Sequence, residues 1–86
     1  MKIEKKILPE YFSLIESGQK TFELRLADWE CNPGDTLILK EWDPELKTYT
    51  GREISKEVGY VLKTKEVKLF PPEDVEKFGY QVISLK

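Results

Sequence analysis

The densest run of side chains able to do chemistry is Gly18-Gln19-Lys20-Thr21-Phe22-Glu23-Leu24-Arg25. Thr21, Glu23 and Arg25 occupy alternate positions, so on a strand they project to one side, roughly 6–7 Å apart in succession. Lys20 lies at a helix–strand corner, where the backbone can aim its amine at the same space. A lysine, a glutamate and an arginine on a concave polar face would bind an anion or a polar heterocycle. The guanidinium fork suits phosphate or carboxylate, and the carboxylate accepts from amino or hydroxyl groups. Beside an arginine, such a lysine is also a candidate base. The plainer use is a Glu23–Arg25 pair across a solvated strand face, worth ~0–1 kcal/mol. Spacing alone favours that plainer use.

Other residues have rival uses too. Trp29, Trp42, Tyr49 and Tyr60 offer stacking faces for bases, each worth ~1–3 kcal/mol in single-strand recognition. In so small a fold such rings more often fill the core or its rim. Gly34-Asp35 reads as a turn with a self-bonding aspartate rather than as a ligand position. The acids Asp28, Glu30, Asp35, Glu41 and Asp43 fit no calcium loop, so no metal is expected, and no cofactor either. The lone Cys31 excludes a disulfide framework. With no histidine in the chain, a Cys/His metal site, a Ser–His or Cys–His dyad and a histidine base are all excluded.

The elements that must position these groups follow from periodicity and punctuation. Lys2 to Leu8 is short and partly alternating, and reads as a strand. Pro9 suits a first helical position, where its missing N–H costs nothing. Tyr11, Phe12, Leu14 and Ile15 form an apolar stripe, and Gly18 sits where a left-handed C-cap belongs. That helix, about two and a half turns long, needs a sheet to pack on. Thr21 to Leu26 reads as a strand with Phe22, Leu24 and Leu26 on its apolar face. Asn32-Pro33-Gly34-Asp35 is a turn, Thr36 to Trp42 a strand, Asp43 to Lys47 a hairpin connection, and Tyr49 to Leu62 a further strand. Gly51 and Gly59 inside that last run suggest bulges or bends. Pro71-Pro72-Glu73-Asp74 opens a single helical turn with acids at its start, and Gly79 to Leu85 closes the chain as a strand. The fold class is mainly β with α, an α+β fold in which hairpin-length connections favour antiparallel pairing. A strongly curved sheet or small barrel, with the helix across one opening, satisfies that order and hides its edges.

At 86 residues and 10.1 kDa the chain is one domain, residues 1–86, with an expected radius of gyration of roughly 12 Å. Charged residues make up 35% and apolar ones 40%, a globular rather than a disordered composition. No apolar run approaches the ~18 residues of a membrane span, and Met1 to Lys6 has no signal-peptide core, so a soluble cytoplasmic protein is expected. Net charge is 14 − 16 = −2. Met1 to Leu26 carries five cations and four anions, Ala27 to Leu62 four and eight, and the remainder five and four. No basic stripe is visible, so duplex DNA is not an expected partner.

The combination Gly18-x-Lys20-x-x-Glu23-x-Arg25, Asp28, Gly34-Asp35, Leu39-x-Glu41-x-Asp43 and Tyr49-Thr50-Gly51-Arg52-Glu53 resembles the ASCH domain of the PUA-like superfamily. The likeness is greatest to its short branch of small bacterial, archaeal and phage proteins, and it runs from Ile7 to Tyr80. It implies a small PUA-like β-barrel of about five to six mostly antiparallel strands. One helix would lie near the N-terminus and a short helical turn before the last strand. It further implies a cleft beside the first helix, with RNA or a nucleotide as the ligand class and Lys20, Glu23 and Arg25 as cleft residues. Some ASCH proteins hydrolyse the amide of acetylcytidine with a lysine, a threonine three residues later and a distant glutamate. Here Lys20 is retained, but Glu23 stands at the nucleophile position, and Thr21 is not the aligned residue. Glu41 and Glu57 are candidates for the distant acid by strand parity only. A carboxylate cannot replace a hydroxyl nucleophile without a changed mechanism, which leaves a glutamate-assisted water attack as the enzymatic route.

The expected function is thus an RNA- or nucleotide-binding module with Lys20, Thr21, Glu23, Arg25 and Glu41 contacting the ligand. One alternative is a metal-independent hydrolase acting on a modified nucleoside or on RNA, with Lys20 and Glu23 as its catalytic candidates. A second is a protein-interaction module, for which the acidic middle segment is the motive.

Overall fold

Pro9, with its φ already helical, opens a helix directly behind the first strand, and this junction organises the molecule. The computed structural model describes residues 1–85. Strand β1 (Lys2–Ile7) leads into helix α1 (Pro9–Glu16), followed by strands β2 (Thr36–Asp43) and β3 (Thr48–Glu57). A 3₁₀ turn (Thr64–Glu66) and helix α2 (Pro72–Phe78) come after them. The three strands form one open sheet in the order β1-β2-β3. β1 runs parallel to β2, with Ile3 opposite Leu37 and Lys5 opposite Leu39. β2 and β3 are antiparallel.

Among the described residues five apolar side chains are buried: Ile7 from β1, Phe12 and Ile15 from α1, and Leu37 and Leu39 from β2. Ile3, Trp29, Ile54 and Val58 pack around them. Each fully buried side chain contributes about 1.5–3 kcal/mol, so this small cluster is the principal source of stability. Period two along β2 puts Leu37, Leu39 and Glu41 under α1. Ile38, Lys40 and Trp42 therefore lie on the opposite face. There Trp42 meets Tyr49 edge-on at 5.0 Å, and the Lys6 amine lies 3.7 Å from the Trp42 ring centre.

The hairpin between β2 and β3 is tied by Asp43, whose carboxylate accepts from the N–H groups of Glu45 and Leu46. At Gly51, whose φ is +96°, the ladder slips. Lys40 faces Glu53 and Trp42 faces Tyr49, so Thr50 to Arg52 all stand opposite Glu41. This is the bulge that Gly51 suggested.

Several expectations are corrected. The sheet is open and has three strands, not a closed barrel of five or six. Thr21 to Leu26 and Gly79 to Leu85 join no ladder, and β3 stops at Glu57 rather than Leu62. The β1–β2 pairing is parallel because the connection between them contains a helix and is long enough to cross over. The helix after Pro71 is also longer than one turn, reaching Phe78 with Glu73 and Asp74 in its first turn.

Candidate functional site

Ser17 caps the C-terminus of helix α1, and Gly18 follows with φ +81°, a conformation open to glycine at little cost. The Gly18 N–H donates to the Ile15 carbonyl at 3.1 Å and the Lys20 N–H to the Leu14 carbonyl at 2.9 Å. The chain is thereby folded back against its own helix, and Lys20 leaves the corner pointing along the start of the next segment. Its amine donates to Glu23 Oε1 at 3.1 Å. The other oxygen, Oε2, accepts from Arg25 Nε at 2.9 Å. Arg25 also donates from Nη2 to the carbonyl of Lys6, on edge strand β1, at 2.7 Å. The Lys20, Glu23 and Arg25 side chains are only 15%, 16% and 27% exposed.

The alternation of Thr21 to Leu26 is only partly kept: Phe22 is half-buried with Glu23 and Arg25, and Thr21 is exposed. The charged side chains are sheltered, while Leu24 and Leu26 are 70% and 81% exposed. The charged trio turns inward because its groups satisfy one another and a backbone carbonyl, which lowers the cost of leaving water.

These residues form one wall of a cavity of about 410 Å³, within the range of about 300–1,000 Å³ usual for small-ligand sites. Thr21 also lines it, and its hydroxyl donates to the Leu85 carbonyl at 3.4 Å. Phe22, Trp29 and Tyr60 supply aromatic surface. The charged lining comprises Lys20, Arg25, Lys56 and Lys63 against Glu23 and Glu57, a net of +2 in a chain of net −2. Among the described residues Lys56 and Lys63 have no ion-pair partner. Lys56 could have been found from sequence, since Arg52, Ile54 and Lys56 alternate on the core side of β3, with Lys56 opposite Leu37. Lys63 lies beyond the last strand, where no period points to it.

Glu41 lines no part of that cavity. It is the one buried charged residue among those described, at 5% exposure. Its Oε1 accepts from the Thr50 hydroxyl at 2.7 Å and lies 3.7 Å from Arg52 Nε. Arg52 continues to Glu16 at the end of α1 (2.9 Å) and covers the Phe12 ring at 4.6 Å from its centre. The bulge at Gly51 turns both Thr50 and Arg52 toward Glu41, so this acid joins β3 to α1. Glu57, the other acid singled out by parity, does line the cavity. Trp42 and Tyr49 do not, being paired on the far face of the sheet.

The Lys20 amine is a donor to Glu23 in this arrangement, so action as a base would require breaking that pair. Asp35 is held below the ordinary carboxylate range by the Asn32 N–H and by the N-terminal ammonium group. Its contacts close the Asn32–Asp35 turn onto Met1. Among the described residues no group of three or more Cys, Asp or Glu side chains is arranged to hold a metal ion, and no helix is long and apolar enough to cross a membrane.

Residues 3–73 match the family described as Domain of unknown function (DUF3850). The chain belongs to the DUF3850 family. The matched span includes every residue of the cavity wall from Ile15 to Lys63. An uncharacterized 12.9 kDa protein in the GpA 3′ region of Escherichia phage P2 is 38% identical over 55 residues. That alignment covers 64% of this chain and 49% of the phage protein, so it spans about half the length of the curated relative. No solved structure matches the chain.

Proposed function

We propose that this DUF3850 chain is a binding module that takes a nucleotide, free or at the end of a single-stranded RNA, into the cavity beside α1. The observation that carries this reading is the Lys20–Glu23–Arg25 chain of charge-assisted bonds in the wall of a cavity with excess positive charge. The trio is preorganised yet unsaturated. Arg25 has used two of its five N–H donors, Lys20 one of three, and the Glu23 carboxylate two of about four lone-pair sites. Arginine and lysine are left to donate to carbonyl or phosphate oxygens, and Glu23 to accept from an amino group. Phe22, Trp29 and Tyr60 give a planar ring apolar surface to lie against. The likeness of Gly18-x-Lys20-x-x-Glu23-x-Arg25 to the ASCH domain supports the ligand class, and with it a PUA-like ancestry for the fold.

Calorimetric titration of nucleosides, 5′-mononucleotides and short single-stranded RNAs tests this. Saturable binding is expected, weakened at least tenfold by Arg25→Ala and less by Arg25→Lys. Binding unchanged in Arg25→Ala overturns the site, and a wild-type chain that binds none of these ligands overturns the function.

A further inference from the structure

From Gly59 to Leu85 no residue is buried, and Val61, Val67, Val75 and Ser84 alone are partly covered. The segment nevertheless carries Leu69, Phe70, Phe78, Ile83 and Leu85, all between 58% and 81% exposed. In α2, Val75 and Phe78 lie one turn apart on a single face, and a seven-residue helix has too few hydrogen bonds to persist without packing. The segment's end is tied to the Lys20–Arg25 stretch by the 3.4 Å bond from the Thr21 hydroxyl to the Leu85 carbonyl.

The excess can be measured. The chain exposes 7200 Å², whereas a folded monomer of its mass exposes roughly 5,300 Å². About 1,900 Å² is thus surplus. The radius of gyration, 14.8 Å, also exceeds the roughly 12 Å expected at this length.

We propose that Gly59–Leu85 is the interface of a homodimer in which the segment of each copy packs against that of the other. Covering the surplus on both copies would bury about 3,800 Å², inside the range of about 2,000–5,000 Å² found for obligate homodimers. Charge points to a second copy rather than to an acidic or basic partner. The segment holds four lysines and four acids, so two copies meet without net repulsion although each chain is at −2. A two-fold pairing lets one self-complementary patch cover both copies at once and closes the assembly. Tyr60, Leu62 and Lys63 belong to the segment and also line the cavity, so the dimer would fix one cavity wall in place.

Sedimentation equilibrium and small-angle scattering of the whole chain, without ligand, test the proposal from low micromolar to submillimolar concentration. The expected particle has twice the 10.1 kDa chain mass. Phe78→Glu with Ile83→Glu should raise the dimer dissociation constant at least a hundredfold, with β2 amides still protected from hydrogen exchange. A wild-type particle of one chain mass at every concentration overturns the proposal. So does a double variant that retains β2 protection and dimerises as tightly as wild type. If the double variant loses that protection, Leu69→Glu read by the same two measurements decides. Because the mass is measured without ligand, failure here leaves the nucleotide reading standing.

Discussion

Arg52→Ala is the substitution whose cost can be worked out contact by contact. The guanidinium lies 3.7 Å from a Glu41 oxygen, covers Phe12 at 4.6 Å and reaches Glu16 at 2.9 Å. Arg52 is itself half exposed, so solvent screens its attraction to Glu41 to about 0.5–1 kcal/mol, well short of the cost of breaking a fully buried pair. The stack on Phe12 adds about 0.5–1 kcal/mol. The Glu16 bridge, exposed at both ends, adds at most ~0.5 kcal/mol. Together these give roughly 1–2.5 kcal/mol, which in a domain of this size lowers Tm by about 5–15 °C. Thermal unfolding followed by circular dichroism should show that drop for Arg52→Ala. Glu16→Ala, which removes the outer arm alone, should shift Tm by less than about 4 °C. Arg52→Lys should fall between them, because an ammonium keeps the charge but not the flat face over Phe12. If Arg52→Ala melts within about 2 °C of wild type, the junction between β3 and α1 rests on burial alone and the reasoning fails.

Two further outcomes follow from charges elsewhere. Asp35 is depressed in the folded state, so its stabilising effect is fully present above the ordinary aspartate value near ~3.9 and disappears as pH falls through the lower folded value. Wild type should therefore lose stability across that acidic window more steeply than Asp35→Asn, as read from Tm against pH; parallel profiles would refute the assignment. Lys56→Gln with Lys63→Gln should weaken binding of a 5′-mononucleotide roughly 3–10-fold at low salt, leave the nucleoside unaffected, and flatten the salt dependence. Equal losses for nucleotide and nucleoside would show that these lysines do not meet the phosphate.

What was legible in the sequence was local. Pro9 and Gly18 bracket α1 because each restricts or frees φ at a helix terminus, whatever the tertiary context. The β2 alternation and the Asn32–Asp35 turn carry their own signals, and so does the bulge at Gly51. The pairing of strands was not legible, since alternation tells which side chains share a side but not whether another backbone lies alongside. Thr21 to Leu26 has the pattern of a strand and no ladder. Its leucines were expected to be inside, yet Leu24 and Leu26 are exposed while the mutual satisfaction of Lys20, Glu23 and Arg25 lets those charged groups be sheltered. Glu41 was singled out by parity as a candidate for the distant acid, and was also expected to contact the ligand. Its role in joining β3 to α1 depends on Thr50 and Arg52, which a glycine-centred slip brings round to it. Lys63 could be found only from the folded chain.

The bond from Arg25 to the Lys6 carbonyl has a consequence for how the molecule meets its neighbours. An outermost strand is a template on which a stray peptide can add by main-chain pairing, and a guanidinium seated on one of its acceptors obstructs that addition. The same fork is the group assigned to grip whatever enters the hollow. A guest that drew it inward would unmask the flank of the sheet, so filling the hollow and recruiting a further polypeptide would become linked through a single side chain.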